Sequence, residues 1–221
     1  MRDSYREDLD DILADLIKMS ESVSTAVRGA TKALLDADIH LAEKVISADD
    51  EIDASQADIE SRAFTMLARQ APVAGELRTV VATLRMVTEL ERMGDLAAHV
   101  AKIARLRYPE SAVPDGLRPN FIQMGDIAEQ MVIRAGQILS DRNVKTAEQL
   151  YDKDQEMDDL RRSQFRMLLG DDWSYGVEAA VDVALLGRYY ERISDHAASL
   201  ARRVIYIATG EFPDDENYPQ P

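Results

Sequence analysis

The chain contains no cysteine, which excludes disulfides, zinc-thiolate sites, iron–sulfur clusters and a cysteine nucleophile. Glycine and proline are scarce, with 10 and 7 in 221 residues. No apolar run approaches the roughly 18 residues that a membrane span requires. The polar, acidic start, MRDSYREDLDD, leads us to expect no signal peptide. Together these absences favour a soluble, cytoplasmic protein.

Positive charge is also in deficit. The sequence has 41 acidic and 26 basic residues, giving a formal net charge of −15. This charge repels a polyphosphate backbone, so we expect no nucleic-acid partner. Apolar residues, in contrast, make up 46% of the chain, which is enough for a sizeable core.

The apolar residues recur every three or four positions in six long stretches, which is typical of helices that bury one face. No stretch shows sustained β alternation. The segment RYPESAVPDGLRPN, with three prolines and one glycine, separates the first three stretches from the last three. We therefore predict an all-α fold of two tandem, antiparallel three-helix bundles. The predicted parts are a first bundle (1–108), a linker (109–116), a second bundle (117–210) and a flexible acidic tail (211–221).

A short motif occurs once in each half. ERMGDLAAHV at 91–100 and ERISDHAASL at 191–200 agree at five of ten positions. Each motif places two acids four residues apart, on one face of a helix. The preceding helix of each half carries a similar pair, in DDEID at 49–53 and DQEMD at 154–158. The eight candidate ligands are Asp49, Asp53, Glu91, Asp95, Asp154, Asp158, Glu191 and Asp195.

Four carboxylates that converge from two helices suit a hard cation such as Mg²⁺, Mn²⁺, Ca²⁺ or iron. Spacing alone is weak evidence, because 41 acids in 221 positions give about seven such pairs by chance. Asp154 strengthens the metal hypothesis, since it lies between Leu150 and Met157 on a buried stripe. Two alternatives stay open: solvated helix faces, and a structural ion-pair network that involves Arg92 and Arg192.

The histidines do not strengthen the metal hypothesis, and the signature of di-iron proteins is absent. His196 follows Asp195 and is more typical of a packing or hydrogen-bonding residue than of a metal ligand. The sequence has no Glu-x-x-His, which is the signature of di-iron carboxylate bundles.

Five segments resemble the PhoU family, the regulatory proteins of bacterial phosphate uptake. They are DDEID at 49–53, RQAPVAGELR at 69–78, ERMGD at 91–95, DQEMD at 154–158 and RYYERISDHA at 188–197. The likeness extends over nearly the whole chain, both halves in order. Glu76 stands where the family commonly has aspartate. After His196 the chain reads Ala-Ala-Ser-Leu-Ala-Arg, where the family often has Ala-Thr-Asn-Ile-Ala-Glu.

The resemblance implies two similar three-helix bundles whose acidic motifs bind metal, which leaves iron, manganese, magnesium or zinc as candidates. It also implies a non-enzymatic adaptor, often a homodimer, that represses the phosphate-starvation response when phosphate is plentiful. Its implied partners are the transporter ATPase PstB and the sensor histidine kinase PhoR, through which it meets the membrane indirectly. The alternatives are a carboxylate-bridged metal enzyme, such as an oxidase or phosphohydrolase, and a metal-free helical scaffold.

Overall fold

A computed structural model describes residues 2–141 and 144–211 of the chain. These residues form six long helices and one short 3₁₀ turn at Asp115–Leu117, with no strand in this part of the chain. The predicted all-α fold is therefore confirmed. The helices are α1 (Arg2–Asp36), α2 (Ile39–Gln70), α3 (Gly75–Arg107), α4 (Arg118–Asp141), α5 (Val144–Leu168) and α6 (Gly176–Thr209).

The turns around α2 explain where that helix begins and ends. Asp38 caps its N-terminus, where the Leu41 backbone N–H donates to Asp38 Oδ1 at 3.0 Å. At the other end Ala71 has φ of 44°, a left-handed conformation that stops the helix. The sequence predicts Pro72 in the first turn of α3. Pro72 instead lies in this turn, because Ala74 also has a positive φ, of 50°, and α3 begins only at Gly75.

The six helices form two sets of three that share one continuous core. In the first set α1 packs on α2 and α3, and in the second set α4 packs on α5 and α6. The sets meet where α1 packs on α4 and α3 packs on α6. At the α1–α4 contact a Cβ added to Gly125 would lie 2.4 Å from Thr31 Cγ2, so the close approach depends on glycine. The domain limits at 108 and 117 stay a prediction.

Helices α3 and α6 run antiparallel along the seam between the two sets. Near the start of α3, the Arg78 guanidinium lies 5.6 Å from the centre of the Tyr206 ring, near the end of α6. At the end of α3, Arg107 donates to Asp182, near the start of α6. The two helices that carry the repeated motif are therefore also the helices that join the two halves.

Two further expectations concern the membrane and the chain end. Across the described ranges, every helix is too short or too polar to serve as a membrane span. Of the predicted tail, residues 212–221 lie outside the described residues.

Candidate metal centres

The first carboxylate set consists of Asp49 and Asp53 on α2 with Glu91 and Asp95 on α3. These helices pack side by side. Asp49 lies directly against α3, since a Cβ added to the buried Gly94 would be 3.4 Å from Asp49 Oδ1. The lack of a side chain at position 94 thus allows a carboxylate of α2 to approach the backbone of α3 between the two motif acids.

The charges of the first set act on one another. Burial raises the pKa of Asp49, and the charges of Asp95 and Asp53 raise it further. Burial also raises the pKa of Glu91; Arg92 opposes this shift, while Asp95, Asp53 and Asp49 add to it. Acids from both helices therefore lie near enough to raise one another's pKa.

The second set consists of Asp154 and Asp158 on α5 with Glu191 and Asp195 on α6. All four line one cavity of about 480 Å³. Burial and the charges of Asp195 and Asp158 raise the pKa of Asp154 to about 7, although Arg202 opposes the shift. Burial and the charge of Glu191 also raise the pKa of Asp158 and of Asp195.

The chemistry of both sets fits a hard cation. Carboxylate oxygens are the ligand atoms that Mg²⁺, Ca²⁺ and Mn²⁺ prefer, and mutual repulsion of the acids is the condition that a cation relieves. Within residues 2–141 and 144–211, however, no three histidine, aspartate or glutamate side chains are gathered as closely as metal ligands are. The acids of the second set line one cavity, and in either set binding would require the side chains to rotate towards a common point.

Arginines distinguish the two sets. In the second set Glu191 Oε2 accepts hydrogen bonds from Arg161 at 2.5 Å and from Arg188 at 2.6 Å. In the first set Arg92 makes looser ion pairs, 3.5 Å to Glu91 and 3.4 Å to Asp95. Sequence reasoning named Arg92 and Arg192 as ion-pair residues but missed Arg161 and Arg188.

Comparison of the two halves in register could have revealed these arginines. When Asp49 is aligned with Asp154, Gln56 falls opposite Arg161. When Glu91 is aligned with Glu191, Thr88 falls opposite Arg188. The second set therefore contains two countercharges that the first set lacks.

Glu89 of α3 is a second residue that sequence reasoning missed. Its side chain is only 13% exposed and accepts three hydrogen bonds from α6. The donors are His196 Nδ1 at 2.7 Å, Ser199 Oγ at 2.9 Å and Arg203 Nη2 at 2.9 Å. Burial alone would raise the pKa of Glu89, but these hydrogen bonds outweigh it and lower the pKa to about 2.

This cluster gives His196 the role expected for a lone helical histidine. Its Nε2 lies 3.3 Å from Arg192 Nη2 while its Nδ1 bonds Glu89. Both ring nitrogens therefore have partners on the protein, and the residue acts in hydrogen bonding across the α3–α6 seam. Glu89 and His196 also line the cavity of the second set, so a residue of the first half forms part of its wall.

The fold and these sites define a duplicated three-helix protein with one carboxylate set in each half. A family model described as the PhoU domain matches the chain twice, at residues 16–104 and 121–204. The two matches coincide with the two helix sets and cover more than half of the chain. The chain therefore belongs to the PhoU family, as the sequence motifs predict.

Relatives that carry the PhoU name are similar to this chain over nearly its full length. The phosphate-specific transport system accessory protein PhoU homolog 1 of Mycobacterium leprae is 44% identical, over 99% of each chain. PhoU homolog 2 of Mycobacterium tuberculosis is 46% identical over 96% of this chain and 100% of its own. The crystal structure of PhoU from Pseudomonas aeruginosa matches with a TM-score of 0.87 and 29% identity, over 94% of this chain and 100% of its own.

Proposed function

We propose that the protein is a regulatory accessory protein of a phosphate-specific transport system. Its membership of the PhoU family and its likeness to proteins with that name over almost their whole length support this role. In this proposal it couples the transporter ATPase to a sensor histidine kinase. It thereby represses the phosphate-starvation response when phosphate is plentiful.

The proposal includes a cation at each carboxylate set. Asp49, Asp53, Glu91 and Asp95 would hold it in the first half, and Asp154, Asp158, Glu191 and Asp195 in the second. The observation that carries this proposal is the mutual repulsion of acids on neighbouring helices. A bound divalent cation would supply the positive charge that offsets this repulsion. The carboxylates would then link α2 to α3 and α5 to α6.

Regulation of this kind requires different affinities for different states of a partner, and no catalysis. The protein would act in the cytoplasm as a homodimer and reach the membrane only through its partners. Two of the helices that carry the carboxylates, α3 and α6, also pack on each other between the halves. If the side chains of a set closed around an ion, the packing between the halves would therefore change. The partners would favour one arrangement of this α3–α6 packing over another.

A pull-down tests the adaptor role. The full chain is used to capture the purified transporter ATPase and the purified sensor kinase, in high and in low phosphate. We expect binding of both partners and a difference between the two conditions. If neither the ATPase nor the kinase were captured, in high or in low phosphate, the adaptor role would be contradicted.

Elemental analysis of protein purified without chelator tests the cation sites separately. The matched control is a variant with the amide substitutions Asp49→Asn, Asp53→Asn, Glu91→Gln and Asp95→Asn, which keep side-chain size. We expect the variant to contain less metal than the wild type. Equal metal content would instead favour a scaffold whose acids are merely solvated.

A further inference from the structure

The turn between α2 and α3 carries an exposed apolar patch. Phe64, near the end of α2, is 60% exposed, and Val73, in the turn itself, is 71% exposed. Leu77 and Val81 are also exposed and lie four residues apart, on one face of α3. Because α2 and α3 run antiparallel from this turn, Phe64 lies at the same height as this part of α3. We call these four residues the turn patch, and large apolar side chains exposed in this way are typical of a surface that another segment covers.

The end of α6 lies beside the turn patch. Gly210 ends the helix, and a Cβ added to it would lie 2.5 Å from Arg78 Nη1. The Arg78 guanidinium also lies 5.6 Å from the centre of the Tyr206 ring, in the last turn of α6. Arg78 directly follows Leu77 in α3. The chain therefore leaves α6 next to the turn patch.

The segment that follows, residues 212–221, lies outside the described residues and is long enough to reach the whole patch. Ten residues span up to about 33 Å when extended. Leu77 and Val81 are separated by roughly 6 Å along α3, and neighbouring helices pack roughly 10 Å apart. The segment can therefore cross the patch from α3 to α2.

The composition of this segment, FPDDENYPQP, is complementary to the surroundings of the patch. It has two aromatic residues, three acidic residues and no basic residue. Arg78 lies beside Leu77, and its Nε has no hydrogen-bond partner in the part of the chain that the structure describes. Arg85 is exposed one turn beyond Val81. The aromatic rings would thus meet the apolar patch while the acids meet the two arginines.

The corresponding turn of the second half lacks this complementarity. It exposes Val177 and Val181 at the equivalent positions of the repeat. Glu178 and Leu185 stand there in place of the two arginines, and Glu178 is paired with Arg107. An acidic segment is therefore attracted by the turn of the first half and not by that of the second.

The segment after α3 provides a precedent within the same chain. Tyr108-Pro109-Glu110 follows α3 and Phe212-Pro213-Asp214 follows α6, so an aromatic residue, a proline and an acid come after each seam helix. After Glu110 the chain turns back onto the protein, where Ala112 and Val113 are buried. Because α3 and α6 are equivalent and antiparallel, the same course after α6 leads onto the start of α3.

We propose that residues 212–221 bind the turn patch of their own chain. Phe212 and Tyr218 cover the apolar side chains, and the acids at 214–216 face Arg78 and Arg85. Because the segment is tethered to α6, its effective concentration at the patch is on the order of millimolar, so weak contacts suffice. This contact goes beyond the proposed function, since a partner could bind the α2–α3 turn only by displacing the segment.

Disulfide trapping in the full chain tests the contact, because the chain has no cysteine of its own. One variant carries Leu77→Cys with Tyr218→Cys. The matched control carries Val177→Cys with Tyr218→Cys, at the equivalent position of the other half. Both variants are treated with oxidised glutathione at low protein concentration, and the intramolecular disulfide is followed by electrophoresis and mass spectrometry. We expect it to form at least about tenfold faster in the first variant than in the control.

A peptide competition measures the same contact without a covalent bond. A fluorescent peptide of residues 211–221 is titrated with the wild-type chain and with the full chain that carries Phe212→Ser and Tyr218→Ser. We expect the peptide to bind this variant about tenfold more tightly, because the wild-type patch is occupied by its own segment. Adding Arg85→Glu to the variant should weaken the binding. Adding Arg105→Glu instead, at an exposed position near the other end of α3, should leave it unchanged.

Three results would overturn the proposal. Equal rates of disulfide formation in the two cysteine variants would show that the segment does not favour the turn patch. Disulfides that join two chains, with none inside one chain, would assign the patch to a second copy. Equal binding of the peptide to the wild type and to the serine variant would show that the segment leaves the patch free. The cation sites and the adaptor role would stand in each case, because elemental analysis and the pull-down test them separately.

Discussion

The first and second carboxylate sets use the same acids at the same spacing, yet their electrostatic surroundings differ. Repulsion in the first set is opposed by loose pairs to Arg92 and by Lys102. In the second set Arg161 and Arg188 both bind Glu191. The repeated motif therefore determines where the acids lie. Residues outside the motif determine how their charge is balanced.

The α3–α6 seam shows the same divergence. On one side Glu89 binds His196, Ser199 and Arg203 of α6. The matching pair in the other half is Tyr189 with His99, whose rings lie 5.4 Å apart. Because α3 and α6 are equivalent helices packed antiparallel, each pair of equivalent positions meets at two places. At one place the contact is a charged cluster, and at the other it is an aromatic contact. Duplication has preserved the packing geometry here, while the chemistry of the contact has changed.

The largest expected effect comes from removing one carboxylate set at a time. Neutralising either set by asparagine and glutamine substitutions should eliminate the cation binding of that half alone, because amides carry no charge to attract the ion. Titration calorimetry with Mn²⁺ on both variants gives the stoichiometry. If either variant bound as many ions as the wild type, the corresponding set would not be a cation site.

The next largest expected effect is a loss of folding stability when Glu89 is replaced. Glu89→Ala leaves His196, Ser199 and Arg203 without their buried acceptor, which costs roughly 3 kcal/mol. The matched variant on the opposite side of the seam is Tyr189→Ala, whose aromatic contact is worth about 1 kcal/mol beyond burial. Urea unfolding of both variants measures the difference. Equal losses would mean that the charged cluster does not hold the halves together more strongly than the aromatic pair.

The metal-free protein should lose stability as pH rises from 5 to 7.5. The folded-state pKa of Asp154 is raised to about 7, so the folded chain holds a proton there that the unfolded chain has released. Its contribution is complete below about pH 4 and is lost as pH rises through about 7. Allowing for partial exposure, the change is roughly 2 kcal/mol.

Asp154→Asn should flatten this pH dependence, which thermal unfolding in chelator at several pH values can detect. Glu89, with its pKa lowered to about 2, acts in the opposite direction but in a separate range, because its contribution is lost only as pH falls towards 2. An unchanged slope between pH 5 and 7.5 in the variant would argue against Asp154 as the group responsible.

The smallest expected effect distinguishes two neighbouring arginines. Arg162 pairs with Asp159 on the surface, where both side chains are mostly exposed. Arg162→Gln should therefore change stability by less than about 0.5 kcal/mol and leave Mn²⁺ affinity unaltered. Arg161→Gln, one residue away, should raise the Mn²⁺ affinity of the second set. Similar effects of the two substitutions would show that the net charge of the helix, and not the contact of Arg161 with Glu191, determines the Mn²⁺ affinity.

Helical periodicity was sufficient to predict the six helices and their division into two sets, because each helix buries one continuous apolar face. Aspartate is a residue type that favours helix N-caps, so the role of Asp38 is readable from the sequence. The start of α3 is not, since Ala71 and Ala74, which both have positive φ, precede the helix, and it begins only at Gly75. A positive φ is uncommon for alanine, so the residue type gives no signal of it.

The eight acids could be predicted because the repeat marks them twice. Glu89 and Arg161 could not, because each acts across a helix interface and has no counterpart of the same type in the other half. In an acidic helical chain, many arginines have suitable spacing to some carboxylate. Only the packing of α3, α5 and α6 selects the pairs that form.

In our proposal, a cation holds each carboxylate set together. A crystal structure of the protein grown with Mn²⁺ and measured for anomalous scattering tests it most directly. We predict one anomalous peak or cluster between Asp49, Asp53, Glu91 and Asp95 and another between Asp154, Asp158, Glu191 and Asp195. Absence of anomalous density from both regions in Mn²⁺-saturated crystals would show that these carboxylates are not cation sites.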